Sequence, residues 1–292
     1  MLFCVILLLA ATPSSVFGQL ERVDVESYTI EAELFPSAHL ITSRVRIRFL
    51  PLTDLLTLTF ELNRSLRVQR VLDAKGEPLG FRQDRGYQLN VDFLNPLPEG
   101  EASFLTIEYG GVLATAEGSP VENLKLAYIG PEGSYLLYPA RWFPVSGYGV
   151  DRFSAEMRIT VPTGEVVIAS GEGAQPVSES GKITYTFREH NTTFPGTVAA
   201  GSYNVIPSTE PGPSTTFYLK RDDPEKVEVY AEAVSEAVNF YSRQFGAYPF
   251  QQLAIVEIED GGVGGYSGPG LTLLATRGLT TNINYSLLGH EL

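Results

Sequence analysis

His290 and Glu291 stand side by side on a stretch that reads as a helix. An imidazole nitrogen is a common zinc donor, and a carboxylate beside it can take a proton from metal-bound water. In the pattern H-E-x-x-H, two histidines one helical turn apart place both rings on one ion. This sequence holds the first two positions of that pattern; the second histidine would fall two positions after Leu292. A His-Glu pair arises by chance in about one chain in four of this composition, so its context must decide its meaning.

Upstream lies Asp-Gly-Gly-Val-Gly-Gly-Tyr-Ser-Gly-Pro-Gly, with glycine at 261, 262, 264, 265, 268 and 270. Glycine admits positive φ and lets a ligand lie against the main chain. Three other chemistries fail on spacing. A dinucleotide fingerprint needs glycine where Ser267 stands, and a helix rather than a strand after it. A phosphate loop needs a lysine. A nucleophile elbow needs glycine where Pro269 stands, and a serine hydrolase would also need a triad order that is not apparent. What remains is a loop that a ligand can approach closely, with Gly264, Gly265, Tyr266, Ser267 and Gly268 as candidate substrate-binding residues.

The elements that must position these residues are legible as periodicities. From Val23 to about Ile206 the pattern alternates: Tyr28, Ile30, Ala32 and Leu34 against polar neighbours, then Val45, Ile47 and Phe49 against Arg44, Arg46 and Arg48. Period two with one wet face predicts antiparallel sheet, here a many-stranded sandwich or saddle. Within it Trp142 is read as core, and His39 and His190 as satisfied or surface histidines. The proline-rich segment 207–214 reads as a linker. After it the grammar becomes α+β. A strand at Thr215–Leu219 precedes a helix capped by Asp223, opened by Pro224 and stopped by Gly246. Val227, Tyr230, Val234, Val238, Tyr241 and Phe245 form its apolar stripe. A strand apolar on both faces follows at Gln251–Ile258, and Leu271–Ala275 is another. The last helix has Thr281 or Asn282 as cap candidates, with Ile283, Leu287 and Leu288 on one side.

Composition narrows the partners. A chain of 292 residues with net charge −13 and pI near 4.7 lacks the basic face that nucleic acid or an anionic membrane requires. Leu2–Ala11 is an apolar run followed by small residues up to Gly18, which resembles a secretory signal peptide over residues 1–18. It is too short for a stable membrane span. Secretion or export to a periplasm is the location this predicts. Cys4, the single cysteine, lies inside that run, so disulfides are not expected in the mature protein. Asn63, Asn191 and Asn284 match the N-glycosylation pattern.

The order of these elements resembles the gluzincin aminopeptidase family, that of aminopeptidase N and leukotriene hydrolase. The resemblance rests on Tyr138–Pro162 with Arg141, Phe143 and Pro144, on the helix with its following Tyr248-Pro249-Phe250 and strand, on the glycine loop, and on His290-Glu291. It implies an N-terminal β domain over 19–206, a linker at 207–214, and the opening part of a thermolysin-like catalytic domain over 215–292. It implies a zinc metallopeptidase, aminopeptidase-like, that hydrolyses peptides with zinc-activated water. His290 would be a zinc ligand and Glu291 the general base. One zinc ion is expected in a full-length protein only, and the 292 residues alone are expected to be inactive. Gly264 and Gly265 match the start of the family's substrate loop, and Gly270 and Leu271 the residues after it. Ser267 departs: it stands where the family carries a glutamate for the substrate's α-amine. Glu257, Glu259 and Asp260 are the candidates to replace that charge. A second reading is a non-catalytic relative, or a β-rich extracellular binding module with an incidental His-Glu pair. Neither reading fixes an oligomeric state.

Overall fold

A computed structural model of the chain describes residues 22–292 except 85 and 147–150. The expected signal peptide, 1–18, and Cys4 within it lie outside the described residues. The chain is mostly β, as the alternation predicts, with α-helices at Pro224–Phe245 and Tyr285–Glu291. Among the described residues no helix is long and apolar enough to cross a membrane.

An eight-stranded sheet forms the N-terminal unit; its central run is Phe153–Pro162, Val23–Phe35, Leu40–Pro51, Ser103–Val112 and Leu66–Leu72. Tyr28, Ile30, Ala32 and Leu34 are buried, as are Ile41, Val45, Ile47 and Phe49. Arg44, Arg46 and Arg48 face water from the opposite side of the same strand. There Arg48 meets Glu26 at 2.7 Å, and Arg46 lies 4.3 Å from the Phe104 ring centroid. Such exposed pairs contribute only about 0–1 kcal/mol each, so the buried face holds the sheet. One pairing departs from the antiparallel expectation. Val23–Phe35 and Phe153–Pro162 run parallel, with Ser27 opposite Ser154. Parallel neighbours need a long crossover, and the whole of 36–152 supplies it.

Smaller sheets close the unit: Leu55–Glu61, Gln88–Leu97 and Gly80–Gln83 in one, and Val166–Ala169, Val198–Gly201, Ser134–Leu136 and Ala127–Tyr128 in another. Trp142 is the core residue expected. It is fully buried, and its Nε1 donates to Gly196 O (2.7 Å). Beside it Arg141 is buried, pairs with Glu61 and donates to Gly118 O (3.2 Å). His39 is satisfied by Ile129 O (2.5 Å), and His190 is exposed. Asn63 is a poor glycosylation acceptor, because it is buried with Nδ2 donating to Arg141 O (3.1 Å).

The second unit is a five-stranded sheet in the order Asn204–Pro207, Ser214–Leu219, Gln252–Ile258, Leu271–Ala275, Gly265–Gly268. Segment 207–214 therefore joins two strands of one sheet, and this sheet begins at Asn204 rather than after a linker. Pro207 is tolerated because its strand lies at the sheet edge, where a missing N–H costs little. Asp223 caps the long helix by accepting from Lys226 N (3.0 Å), and Gly246 ends it with φ 102°. Val227, Tyr230, Val234 and Val238 are buried as expected, but Phe245 is 84% exposed, so the stripe outruns its sheet.

The strand Gln252–Ile258 decides how the units meet. Leu253 and Ile255 pack under the long helix with Phe217, Leu219 and Leu274. Val256 and Ile258 face the other way and join Leu271 and Leu273 against Leu126, Tyr135, Leu137, Ile168 and Ala199 of the N-terminal unit. Leu273 is fully buried in that shared core. Leu273→Ala should cost about 2–5 kcal/mol in denaturant unfolding, at the full amplitude of both units. Asp223→Ala should lower the melting temperature at neutral pH. The Lys226 N–H, its largest influence, holds the Asp223 carboxyl below the usual carboxylate range. Its contribution is therefore present above that range and lost as the pH falls through the lowered value, so the gap in melting temperature should close in acid.

Candidate active site

The glycine stretch folds into a hairpin rather than an open loop. Gly265–Gly268 is a strand paired antiparallel with Leu271–Ala275, Ser267 lying opposite Thr272. Gly270, with φ 72°, makes the turn. Two glycines stand where a Cβ would press on a neighbouring side chain. A Cβ at Gly265 would lie 2.7 Å from Glu291 Oε1, and one at Gly268 would lie 2.7 Å from Thr197 Oγ1. Gly264 has open space around it, and its carbonyl accepts from Ala275 N (2.9 Å).

The final helix spans Tyr285–Glu291. Its cap is Asn284, whose Oδ1 accepts from Leu287 N (3.1 Å), not Thr281 or Asn282. Thr280 Oγ1 instead donates to Asn282 O (2.9 Å) and shapes the preceding turn. Leu288 is buried against the core of the second unit, with Leu287 and Ile283 packed on its margin. Tyr241 OH donates to Gly289 O (2.6 Å), tying the long helix to the short one.

These elements bring Glu291 onto the edge strand. Ser267 Oγ donates to Glu291 Oε2 at 2.7 Å and also contacts the Glu291 carbonyl oxygen. Thr272 Oγ1 donates to that carbonyl at 3.2 Å. Tyr266 meets Tyr138 of the N-terminal unit edge to face, ring centroids 4.7 Å apart. Burial raises the Tyr138 hydroxyl above the ordinary phenol range, and the negative charge of Glu291 raises it further. Gly265, Ser267 and Glu291 thus share one place, with Gly264, Tyr266 and Gly268 on the same hairpin and His290 exposed next to Glu291. Tyr138 and Thr272 are site residues that the sequence reading did not single out. For Tyr138 the available signal was its position at the start of the Pro-Ala-Arg-Trp-Phe-Pro segment.

The three carboxylates expected to stand in for a glutamate at 267 are committed elsewhere. Glu257 is buried and accepts from Lys220 N (3.0 Å); Glu259 pairs with Lys220 Nζ. Asp260 accepts from Arg277 N (3.0 Å) and faces the Arg277 guanidinium (3.3 Å). Among the described residues no three His, Cys, Asp or Glu side chains cluster to hold a metal ion. A catalytic zinc site takes three protein ligands and keeps one position open. His290 offers one donor, so these residues fit one corner of such a site and not the whole of it.

No protein-family model matches the sequence, and no curated protein matches it. Solved structures match the fold. The M1 zinc metallopeptidase from Deinococcus radiodurans superposes with a TM-score of 0.72 at 18% identity, over 93% of this chain and 64% of that one. A glutamate-to-alanine mutant from the same organism, bound to a Tyr-Ser-Ala substrate, gives 0.72 at 19% identity, covering 94% and 65%. A two-domain M1 zinc metallopeptidase mutant bound to L-tryptophan gives 0.69 at 17% identity, covering 94% and 65%. The chain thus spans less than two thirds of the length of these structures, and what it shares with them is the fold of the N-terminal part of M1 zinc metallopeptidases.

Proposed function

We propose that this chain is part of a zinc metallopeptidase, aminopeptidase-like in architecture, that hydrolyses peptides. The observation that carries the reading is a carboxylate seated on an open sheet edge: Glu291 against Gly265–Gly268, with Ser267 Oγ 2.7 Å away. An extended peptide can add to such an edge through main-chain hydrogen bonds, which brings a peptide carbonyl alongside the carboxylate. Glu291 would take the proton of the attacking water. His290 would be one zinc donor, with the remaining donors outside these 292 residues. Zinc, when bound, supplies Lewis acidity toward water and the carbonyl. The fold shared with M1 zinc metallopeptidases, one of which holds a peptide, supports the same reading. Export from the cytoplasm is proposed on the apolar leader at Leu2–Ala11.

Protein expressed from its complete reading frame should carry one zinc per chain by elemental analysis, and His290→Ala should lose it while still melting cooperatively. Native protein without zinc would sink the proposal and favour the non-catalytic binding module. Glu291→Gln should keep its zinc and lower kcat by about 10²–10⁴-fold with little change in KM. Gly265→Ala should displace the Glu291 side chain and lower kcat with little change in melting temperature, whereas Gly264→Ala, which meets open space, should leave both in place.

A further inference from the structure

Successive residues of a strand face opposite ways, so Gly265 and Ser267 share one face of the edge hairpin and Tyr266 takes the other. Tyr266 lies against Tyr138 of the N-terminal unit, while Gly265 and Ser267 lie against Glu291. Thr272 stands opposite Ser267 in the register and reaches the same residue. Two hydroxyls therefore meet one residue that offers three oxygens.

Each hydroxyl has one proton to give. Ser267 Oγ is within reach of both Glu291 Oε2 (2.7 Å) and the Glu291 carbonyl oxygen. Thr272 Oγ1 donates to that carbonyl at 3.2 Å. Ser267 can then give its proton to the carboxylate, which is the stronger acceptor because it is charged. The carboxylate is thereby held at one of its two oxygens. The other, Oε1, lies on the side of Gly265, where a Cβ would stand 2.7 Å away. Glycine has no side chain to cover that oxygen, and the main chain beside it is the edge along which an extended peptide would lie.

Resting on the peptidase reading above, we propose that Ser267 is a positioning residue for Glu291: its hydroxyl holds Oε2 and so turns Oε1 toward the peptide edge, as the oxygen that receives the proton of the attacking water. An O–H bond of the water breaks and its proton passes to Oε1. The water oxygen bonds to the peptide carbonyl carbon, whose π electrons move onto the carbonyl oxygen, and Ser267 keeps its own proton throughout. The test compares zinc-loaded protein from the complete reading frame with its Ser267→Ala and Ser267→Thr variants. A tryptic digest of casein, read by mass spectrometry, supplies a peptide that the parent cuts, and that peptide serves as substrate. Ser267→Ala should lower kcat about tenfold, the low end for a hydrogen bond to a charged group, with KM within about twofold. Ser267→Thr, which keeps the hydroxyl, should restore most of the loss. In a Glu291→Gln background Ser267→Ala should cost nothing further, because both changes act on one proton transfer. Crystal structures give a readout independent of turnover: one orientation of the Glu291 carboxylate in the parent, several in Ser267→Ala. An unchanged kcat in Ser267→Ala, the same loss repeated in the Glu291→Gln background, or a loss accompanied by lost zinc or a lower melting temperature would overturn the proposal and leave the peptidase reading intact. A parent that carries zinc and cuts no peptide would remove the peptidase reading, and this proposal with it.

Discussion

The apolar seam between the four-stranded sheet and the five-stranded sheet is the constraint on which the rest depends. Val256, Ile258, Leu271 and Leu273 meet Leu126, Tyr135, Leu137, Ile168 and Ala199 there. Without that contact the strand Leu271–Ala275 would have one bare apolar face, and the edge hairpin beside it would have no fixed seat. Burial of fully enclosed side chains stabilises by about 1.5–3 kcal/mol each, far more than any exposed ion pair on the outer sheet. The seam also explains why Tyr138 can reach Tyr266: the residues flanking Tyr138, Leu137 and Pro139, belong to a segment fixed by Trp142 and Arg141.

Polar groups do a different job. Arg44, Arg46 and Arg48 of the eight-stranded sheet face water, whereas Glu257 in the second unit and Arg141 in the N-terminal unit lie at depth with partners. Glu257 takes the Lys220 main-chain N–H, and Arg141 is answered by Glu61 and Gly118. A buried charge left alone is costly, so these partners are fixed by stability and are withdrawn from ligand binding. That is why carboxylates near a site in sequence can be absent from it in chemistry.

Much of the fold was legible because its signals are local. Alternation at Tyr28–Leu34 and Val45–Phe49, the Asp223–Pro224 start and the Gly246 stop each express one short-range rule, and each holds. The departures have non-local causes. The parallel pairing of Val23–Phe35 with Phe153–Pro162 joins segments more than a hundred residues apart, which no periodicity encodes. Gly265–Gly268 has poor strand propensity and is a strand because Leu271–Ala275 pairs with it. Three capping residues crowd Thr281, Asn282 and Asn284, and only the packing of Leu287 and Leu288 selects the last. Of the candidate residues, Gly265, Ser267 and Glu291 lie together through the hairpin and the last helix, while Tyr138 and Thr272 reach the same place through tertiary contacts that no local pattern encodes.

The segment Tyr285–Glu291 is held by groups distant in sequence. Two of its carbonyls are bound by hydroxyls from other elements, Tyr241 on Gly289 and Thr272 on Glu291. Those hydroxyls are in position only once the long helix and the edge hairpin are. A change at Tyr241 or Thr272 therefore reaches the backbone that carries His290 and Glu291 without touching either side chain.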